Sequence, residues 1–426
     1  MEKKIKIGLI GLGTVGTGVV KVLKDFDNIE IKGVAVHNIN KPREVEVQNL
    51  TDDPYVLVND PEIDIIVEVM GGCDPALNLI ETAIKNGKHV VTANKELLAR
   101  YGAHLFDLAK QYNKVILYEA AVAGGIPIIM PIKTTMRVNK FESVAGILNG
   151  TTNYILTKME EEGLSYEECL KKAQDLGYAE TNPTSDVEGY DAMYKIATLA
   201  NITFHKRIDI NKIFKEGITK ITKEDIEFAG ELGYKIKLIG LARRVDEDKI
   251  DVRVHPMLVE KENMIAKINN ALNAVLLKGY PIGEVVFTGP GAGEYPTASS
   301  VVGDILILAS EYNKCDDILP MTRCNHKEMA NQVDILDTQN SYYLSITAKN
   351  IHGTIGHIGT VCGKNHINIL SILQKGLSED HNSARIIVIT EKCYEKDIQN
   401  AVKELEDMAC DNEHVIKVNN IIRVME

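Results

Sequence analysis

Ile5-Lys6-Ile7-Gly8-Leu9-Ile10-Gly11-Leu12-Gly13-Thr14-Val15-Gly16 is the stretch on which the fold of this chain turns. Its first half is a short apolar run rich in β-branched residues, which by length and composition reads as a buried strand. Its second half is Gly-x-Gly-x-x-Gly. A helix is expected over Thr17–Asp25 and a second strand over Ile29–Val36. Strand, glycine fingerprint, helix and strand in close succession form the context in which such glycines cradle a dinucleotide. Gly11 permits the tight turn, Gly13 lets the backbone approach a pyrophosphate, and Gly16 lets helix and strand pack closely. The helix start at Thr14 and Val15 then presents N–H groups and a positive dipole end to the phosphates.

The end of the second strand chooses between NAD and NADP. A carboxylate there would bond the ribose 2′-hydroxyl. The chain instead has His37-Asn38-Ile39-Asn40-Lys41-Pro42-Arg43. Lys41 and Arg43 suit a 2′-phosphate, with His37 and Asn38 beside them, so NADP is expected, with NAD as the second choice. Further alternation follows: strands over Asp64–Val69, His89–Thr92 and Val115–Tyr118, helices over Ala76–Asn86 and Leu97–Tyr112. Such alternation implies a parallel, doubly wound sheet whose ligands lie beyond the carboxyl ends of the strands. Gly71, Gly72, Thr92, Asn94, Lys95 and Glu119 all fall at those ends. From Glu119 to Pro127 the chain is small and apolar, with two adjacent glycines. Such a run bends sharply and exposes carbonyl oxygens, which hard cations prefer. An ion site and an ion-free hinge both fit this segment.

Bulk properties narrow the class. At 426 residues the chain has room for two to four domains. Its 45% hydrophobic and 25% charged residues are an ordinary globular composition. The net charge of −12 argues against non-specific nucleic-acid binding, which depends on Lys and Arg neutralising phosphates. Seven cysteines (Cys73, Cys169, Cys315, Cys324, Cys362, Cys393, Cys410) are scattered, without zinc-ligand spacing. They suit reduced thiols in a cytoplasm. The N-terminus lacks the apolar core of a secretory signal, and no apolar run is long enough to span a membrane.

The charged chemistry concentrates in Ala173–Lys195, which carries Glu180, Asp186, Glu188, Asp191 and Lys195 around an Asn-Pro turn. Asp191 and Lys195 are four apart and share a helix face. A solvated ion pair would account for those two alone. The fuller pattern, Ala-x3-Gly-Tyr-Ala-x2-Asn-Pro-x2-Asp-Val-x-Gly-x-Asp-x3-Lys, resembles the signature of homoserine dehydrogenases. Thr92-Ala93-Asn94-Lys95, Asn149-Gly150-Thr151-Thr152-Asn153-Tyr154 and the second glycine loop Gly289–Thr297 resemble the same family. The resemblance implies NAD(P)-dependent interconversion of L-aspartate 4-semialdehyde and L-homoserine, in threonine and methionine biosynthesis. It makes Lys195 the acid/base, has Asp191 orient it or the substrate, and places Lys95 between cofactor and substrate. Substrate binding falls to Glu180, for the amine, and to Asp186, Asn149, Gly150 and Thr151. Gly293 closes over the cofactor. The carbonyls of Val122, Gly124 and Ile126, with Glu119 nearby, would hold a monovalent cation such as Na+. A homodimer or homotetramer through the second domain is likewise implied. The residue chemistry points the same way: a zwitterionic alcohol needs both signs of charge, and a second ammonium near a lysine lowers its pKa toward proton-shuttling range.

The tail reads as β-α-β-β-α-β, with strands over Tyr342–Ala348, Ile367–Gln374, Ala384–Thr390 and Val415–Val424 and helices over Gly353–Asn365 and Lys396–Met408. That is the ferredoxin-like order, and it resembles an ACT domain, a small amino-acid-sensing module. Asn350-Ile351-His352-Gly353 stands where such domains usually have Asp-x-Pro-Gly. Threonine or another amino acid is the implied effector; a purely dimerising tail is the alternative. The expected fold is therefore α/β: a Rossmann domain over 1–130, regaining about 298–335, an α+β catalytic and dimerisation domain over 131–297, and the ACT-like domain over 340–426. With nothing like a kinase extension ahead of Met1, a monofunctional enzyme is expected. Two rivals are another NADP-dependent semialdehyde or alcohol oxidoreductase on this scaffold, and a non-catalytic nucleotide-binding amino-acid sensor.

Overall fold

Both faces of the run Ile5–Ile10 are buried, so it serves as a central strand covered by helices on either side. The structure, a computed structural model, describes residues 4–312, 324, 326–376, 382–411 and 414–425. Among them, β1 (Ile5–Ile10), β2 (Ile29–Ala35), β3 (Leu50–Thr51), β4 (Ile65–Glu68), β5 (His89–Thr92) and β6 (Ile116–Leu117) form a parallel sheet in the order β3-β2-β1-β4-β5-β6. The order reverses between β1 and β4, which is where a doubly wound sheet opens its ligand crevice. The helices Ala76–Lys85 and Lys95–Gln111 bury Leu79, Ile80, Leu97 and Leu105 against one face. The helix Thr14–Leu23 covers the other with Val19, Val20 and Leu23.

The second face is completed by a helix from far along the chain, Glu294–Tyr312, through Ala298, Val301, Ile305 and Leu308. Sequence reasoning starts this helix at Ala298 and leaves Glu294–Thr297 in a loop. The helix starts four residues earlier because Pro296 lies in its first turn, where the missing N–H costs no helical hydrogen bond. Of the rest of the expected return, residues 313–323, with Cys315, and residue 325 lie outside the described residues; Cys324 lies against Tyr118, but Asn331 and Gln332 pair with Lys249 and Ile250, away from the parallel sheet.

The second module is a sheet of antiparallel neighbours: Gly283–Pro290, Leu272–Tyr280, Lys140–Ile147, Tyr234–Arg244 and Lys249–Glu260, in that order. The strand Leu272–Tyr280 is not apparent in the sequence. Its Leu-Asn-Ala-Val-Leu-Leu run is poor in β-branched residues, and only pairing on both edges makes it a strand. Helices Gly150–Glu162, Tyr166–Asp175 and Tyr190–Phe204 pack on this module. Ser165 and Glu168 form a reciprocal capping box that fixes the start of the middle one.

The C-terminal module has the expected order, with strands Tyr342–Lys349, Ile369–Gly376, Ser383–Thr390 and Val415–Val424 and helices Thr354–Lys364 and Glu395–Asp411. It does not stand apart. Arg423 and Val424 pair in parallel with Met257 and Leu258, so one sheet runs through both modules. Arg423, 2% exposed, seals the junction. Its Nη2 and Nε donate to the two carboxylate oxygens of Glu395 at 2.5 and 2.8 Å, and Nη1 donates to Glu216 at 3.2 Å. No helix among the described residues is long and apolar enough to cross a membrane.

Burial alone would raise the Glu395 pKa, but its bonds to Arg423 outweigh burial and hold it below the usual range. A lowered carboxylate pKa stabilises the fold above the ordinary value and withdraws that support as pH falls through the lowered one. Replacing Glu395 by Ala leaves the Arg423 guanidinium buried with only Glu216, and should cost about 3–5 kcal/mol in denaturant unfolding. The same variant should flatten the acid side of the stability–pH curve.

Candidate functional site

The nucleotide fingerprint folds as its glycines demand. Gly11 has φ +104°, and a Cβ there would lie 2.9 Å from the Val69 carbonyl. A Cβ on Gly16 would lie 2.2 Å from the Gly11 oxygen, whereas the space in front of Gly13 is open. Thr14 and Val15 open the helix beside that space. The crevice between β1 and β4 is thus lined by bare backbone and a helix N-terminus, which fits a pyrophosphate. Opposite it, Glu68 at the end of β4 is fully buried. Its carboxylate accepts from Met70 N (2.9 Å), Gly71 N (3.2 Å) and Thr92 Oγ1 (2.6 Å). Sequence reasoning missed Glu68, which reads only as the polar end of a strand.

The loop after β2 exposes His37, Asn38 and Lys41. Arg43 turns inward instead. Its Nη1 donates to the carbonyls of Ile39 (3.0 Å) and Lys41 (2.6 Å), and its Nη2 to that of Asn38. Arg43 therefore shapes this loop, and Lys41 is the cation it leaves outward. Gly293 directly precedes the helix Glu294–Tyr312, which Lys21 Nζ ties to the fingerprint helix through Glu294 at 2.8 Å. The two glycine loops are neighbours.

Lys95 begins the helix Lys95–Gln111 at the carboxyl end of β5, where Asn94 caps it through Leu97 N. Asp191 and Lys195 lie on the helix Tyr190–Phe204, 3% and 8% exposed. These three residues meet. Lys95 Nζ lies 2.8 Å from Asp191 Oδ1, and Lys195 Nζ donates to Asp191 Oδ2 at 2.7 Å and to the Leu148 carbonyl at 2.8 Å. Asn149 joins them: its Nδ2 donates to Asp191 Oδ2 (2.9 Å) and Asp186 Oδ1 (2.7 Å), while its Oδ1 caps the helix Gly150–Glu162 through Thr152 N.

The electrostatics follow from that grip. Burial pushes the Asp191 carboxyl up, but Lys195, Lys95 and Asn149 together hold it well below the carboxylate range. Lys195 is pushed down from the ordinary lysine value, first by burial; Asp191 opposes this and the Lys95 charge adds to it. Lys95 moves the other way, held up by Asp191. Asp186 is raised by burial and by the neighbouring Asp191 charge. Two lysines share one carboxylate, yet one is steered toward losing its proton and the other toward keeping it.

The remaining sequence-selected residues border this cluster. Thr151 spends its hydroxyl on the Tyr178 carbonyl at 2.7 Å, fastening the signature loop. A Cβ on Gly150 would lie 2.7 Å from the Ala271 carbonyl. Glu180 is exposed on that loop, with its carbonyl held by Gln174 Nε2 at 3.2 Å. Its carboxylate takes no part in the Lys95–Asp191–Lys195 bonds. The segment from Glu119 curls back on itself through Ala123 (φ 56°) and Gly124 (φ 55°). The Gly124 carbonyl accepts from Ser300 Oγ at 2.7 Å. The Glu119 carboxylate is occupied by backbone N–H groups of Ile128 (2.5 Å), Ile129 (2.7 Å) and Met130 (2.7 Å). Glu119 thus braces the segment that carries the Val122, Gly124 and Ile126 carbonyls. Among the described residues no group of three or more His, Cys, Asp or Glu could hold a metal ion.

Asn273 is a second residue that sequence reasoning missed. It is fully buried on Leu272–Tyr280, and its Nδ2 donates to the Leu148 carbonyl at 3.0 Å, the acceptor that Lys195 also uses. Its Oδ1 has no hydrogen-bond partner. A Cβ on Gly291 would fall 2.1 Å from its Cγ, so the second glycine loop rests directly on this amide. No local motif marks Asn273; only the unread strand brings it here.

Three stretches of the chain match known protein families. Residues 11–119 match the family description "Homoserine dehydrogenase, NAD binding domain", residues 127–306 match "Homoserine dehydrogenase", and residues 342–410 match "ACT domain". The chain is 41% identical to a homoserine dehydrogenase of Synechocystis sp. over 438 residues, covering 99% of each. A crystal structure of a homoserine dehydrogenase from Thiobacillus denitrificans superposes with a TM-score of 0.93 at 37% identity, covering 99% of this chain and 98% of that one. A hyperthermophilic archaeal homoserine dehydrogenase in complex with NADPH matches with a TM-score of 0.61 at 25% identity, covering 72% of this chain and 98% of that one.

Asn273→Asp keeps shape and removes the donor to the Leu148 carbonyl. It should lower kcat on the order of 10- to 100-fold with KM for the nucleotide little changed, because the lysine loses its alignment rather than a binding contact. Steady-state kinetics check this; wild-type kcat in the variant refutes it.

Proposed function

The chain belongs to the homoserine dehydrogenase family and is a nicotinamide-dependent oxidoreductase acting on an alcohol carbon, and on that premise we propose how its residues divide the work. The substrate pair is L-homoserine and L-aspartate 4-semialdehyde. The observation that carries the assignment is the meeting of Lys95 and Lys195 on Asp191, at the strand ends of a nucleotide-binding sheet.

Gly11, Gly13, Thr14, Val15 and Gly16, with Gly71 and Thr92, would hold the dinucleotide along the crevice, and a nicotinamide bound there would supply hydride chemistry at the carbinol carbon. The protein does the rest. Lys195, lowered by burial, takes the hydroxyl proton in the oxidative direction and gives it back to the aldehyde oxygen in the reductive one. Lys95, held cationic, lies beside that oxygen and stabilises negative charge as it develops. Asp191 orients both amines. Glu180 and Asp186 offer carboxylates to the substrate ammonium, while Asn149, Gly150 and Thr151 fix the wall of the pocket. Gly293 closes over the nucleotide.

NADP is the preferred cofactor on this reading, because no carboxylate ends β2 and Lys41 is left free at the position of a 2′-phosphate. The archaeal relative's NADPH complex is in keeping with that choice. The carbonyls of Val122, Gly124 and Ile126 hold a monovalent cation such as Na+, with the braced Glu119 charge close by. The ACT domain takes an amino-acid effector, threonine first. The enzyme works in the cytoplasm as a homodimer or homotetramer.

Three outcomes test these roles. Lys195→Ala should lose about 10²–10⁴ of kcat while still binding nucleotide, and near-wild-type turnover ends the assignment. Oxidation needs Lys195 neutral, so its rate should rise with pH and level off below the ordinary lysine range, while reduction falls over the same span. Asp191→Asn removes a charge that raises Lys195, moving that limb to lower pH, and Lys95→Met moves it higher; pH profiles of kcat read both shifts. Lys41→Glu should raise KM for NADP more than for NAD, and equal effects on the two sink the cofactor preference.

A further inference from the structure

A cavity of about 720 Å³ lies between the catalytic and C-terminal modules. Its walls carry the cations Lys215, Lys220, Arg385, Lys417 and Arg423, against the acids Glu216 and Glu406. Part of that charge is spent. Arg423 is satisfied by Glu395 and Glu216. Lys215 Nζ donates to the Glu188 carbonyl at 2.7 Å and sits 3.9 Å from the centre of the Tyr190 ring. Lys220, Lys417 and Arg385 form no ion pair among the described residues. Arg385 Nη1 donates to Ser345 Oγ at 3.1 Å and meets the Asn419 amide oxygen at 2.9 Å once that amide is flipped. Its Nε is buried without a partner. Three cations without a counter-charge among the described residues therefore face Glu406, in a half-open cleft large enough for a small metabolite. None of Asn350–Thr354, the turn where the tail resembles an amino-acid-sensing loop, lines it.

We propose that this cavity binds a small doubly charged anion, a dicarboxylate or phosphate, and that its occupancy is felt at the catalytic helix. The route is short. The cavity wall at 214–216 runs on into Gly217 and Ile218, which lie against the turn that launches the helix Tyr190–Phe204. Ile218 N donates to the Val187 carbonyl at 2.9 Å, and a Cβ on Gly217 would lie 2.2 Å from that same oxygen. Lys215 holds Glu188 and Tyr190, and Asp191 is the next residue. An anion that draws Lys215 toward the cavity competes with the Glu188 carbonyl for it, and so shifts the start of the helix that carries Asp191 and Lys195. The binding half stands alone; the coupling half rests on the catalytic roles proposed above.

The experiment titrates the full-length enzyme with succinate and, separately, inorganic phosphate, at constant ionic strength. It reads the thermal midpoint and the initial rate of homoserine oxidation, with glycine as a zwitterion of no net charge for comparison. A saturable rise in the midpoint with either anion, accompanied by a change in KM or kcat, is the expected result, and which anion saturates at the lower concentration identifies its class. Arg385→Gln combined with Lys417→Gln should need at least tenfold more anion for half-effect. Should that pair fold poorly, Lys220→Gln with Lys417→Gln asks the same question. A midpoint shift without a kinetic change keeps the site and overturns the coupling. No saturation by either anion, or the same half-effect in the variants, overturns the site itself, as does an equal response to glycine. Loss of activity in Lys195→Ala is read separately, so failure of the catalytic assignment is not mistaken for failure of the cavity.

Discussion

One buried carboxylate organises this enzyme. Asp191 is removed from water and would be costly there as an anion, so it must be paired. The partners come from three directions: Lys195 from one turn along its own helix, Asn149 from the start of another helix, and Lys95 from the nucleotide-binding domain. Each partner is delivered by an element whose own position is fixed by burial. The charge requirement of a single side chain thus ties two modules together at the point where a nucleotide and a small alcohol must meet.

The pairing also separates the two lysines chemically. Both touch the same carboxylate, but Lys195 is enclosed by protein whereas Lys95 remains half-buried. Burial penalises the ammonium of the first more than Asp191 can restore, while for the second the attraction wins. Two opposite shifts are therefore obtained from one residue type by placement alone. The Leu148 carbonyl, shared by Lys195 and Asn273, extends this control to the second glycine loop through Gly291.

The shared sheet gives the C-terminal module a mechanical path to this centre. Pairing of Arg423 and Val424 with Met257 and Leu258, and the buried Glu395–Arg423–Glu216 contacts, make the junction continuous rather than a loose tether. Tyr343, Ile387 and Ile422 share a core with Ile196 and Leu199 of the catalytic helix. A module attached in this way is coupled to the centre through close-packed cores, which transmit strain.

Much of this was legible in the sequence, and for identifiable reasons. The strand–glycine–helix run, the alternation of elements and the Asp191–Lys195 spacing are local patterns, and local patterns survive in a linear string because periodicity and turn chemistry act over a few residues. The β-α-β-β-α-β order of the tail is local in the same sense. Glu68 and Asn273 were not legible, because their roles come from partners far along the chain or on a strand that pairing alone creates. Arg43 reads as a phosphate ligand, and the hydrogen bonds of its guanidinium to its own loop's carbonyls are likewise not visible in a linear string. Sequence alone determined which groups are present and which elements carry them. Tertiary structure decided which charges are buried together, and burial, by raising the cost of an ammonium away from water, set the two lysines apart, Lys195 lowered and Lys95 raised.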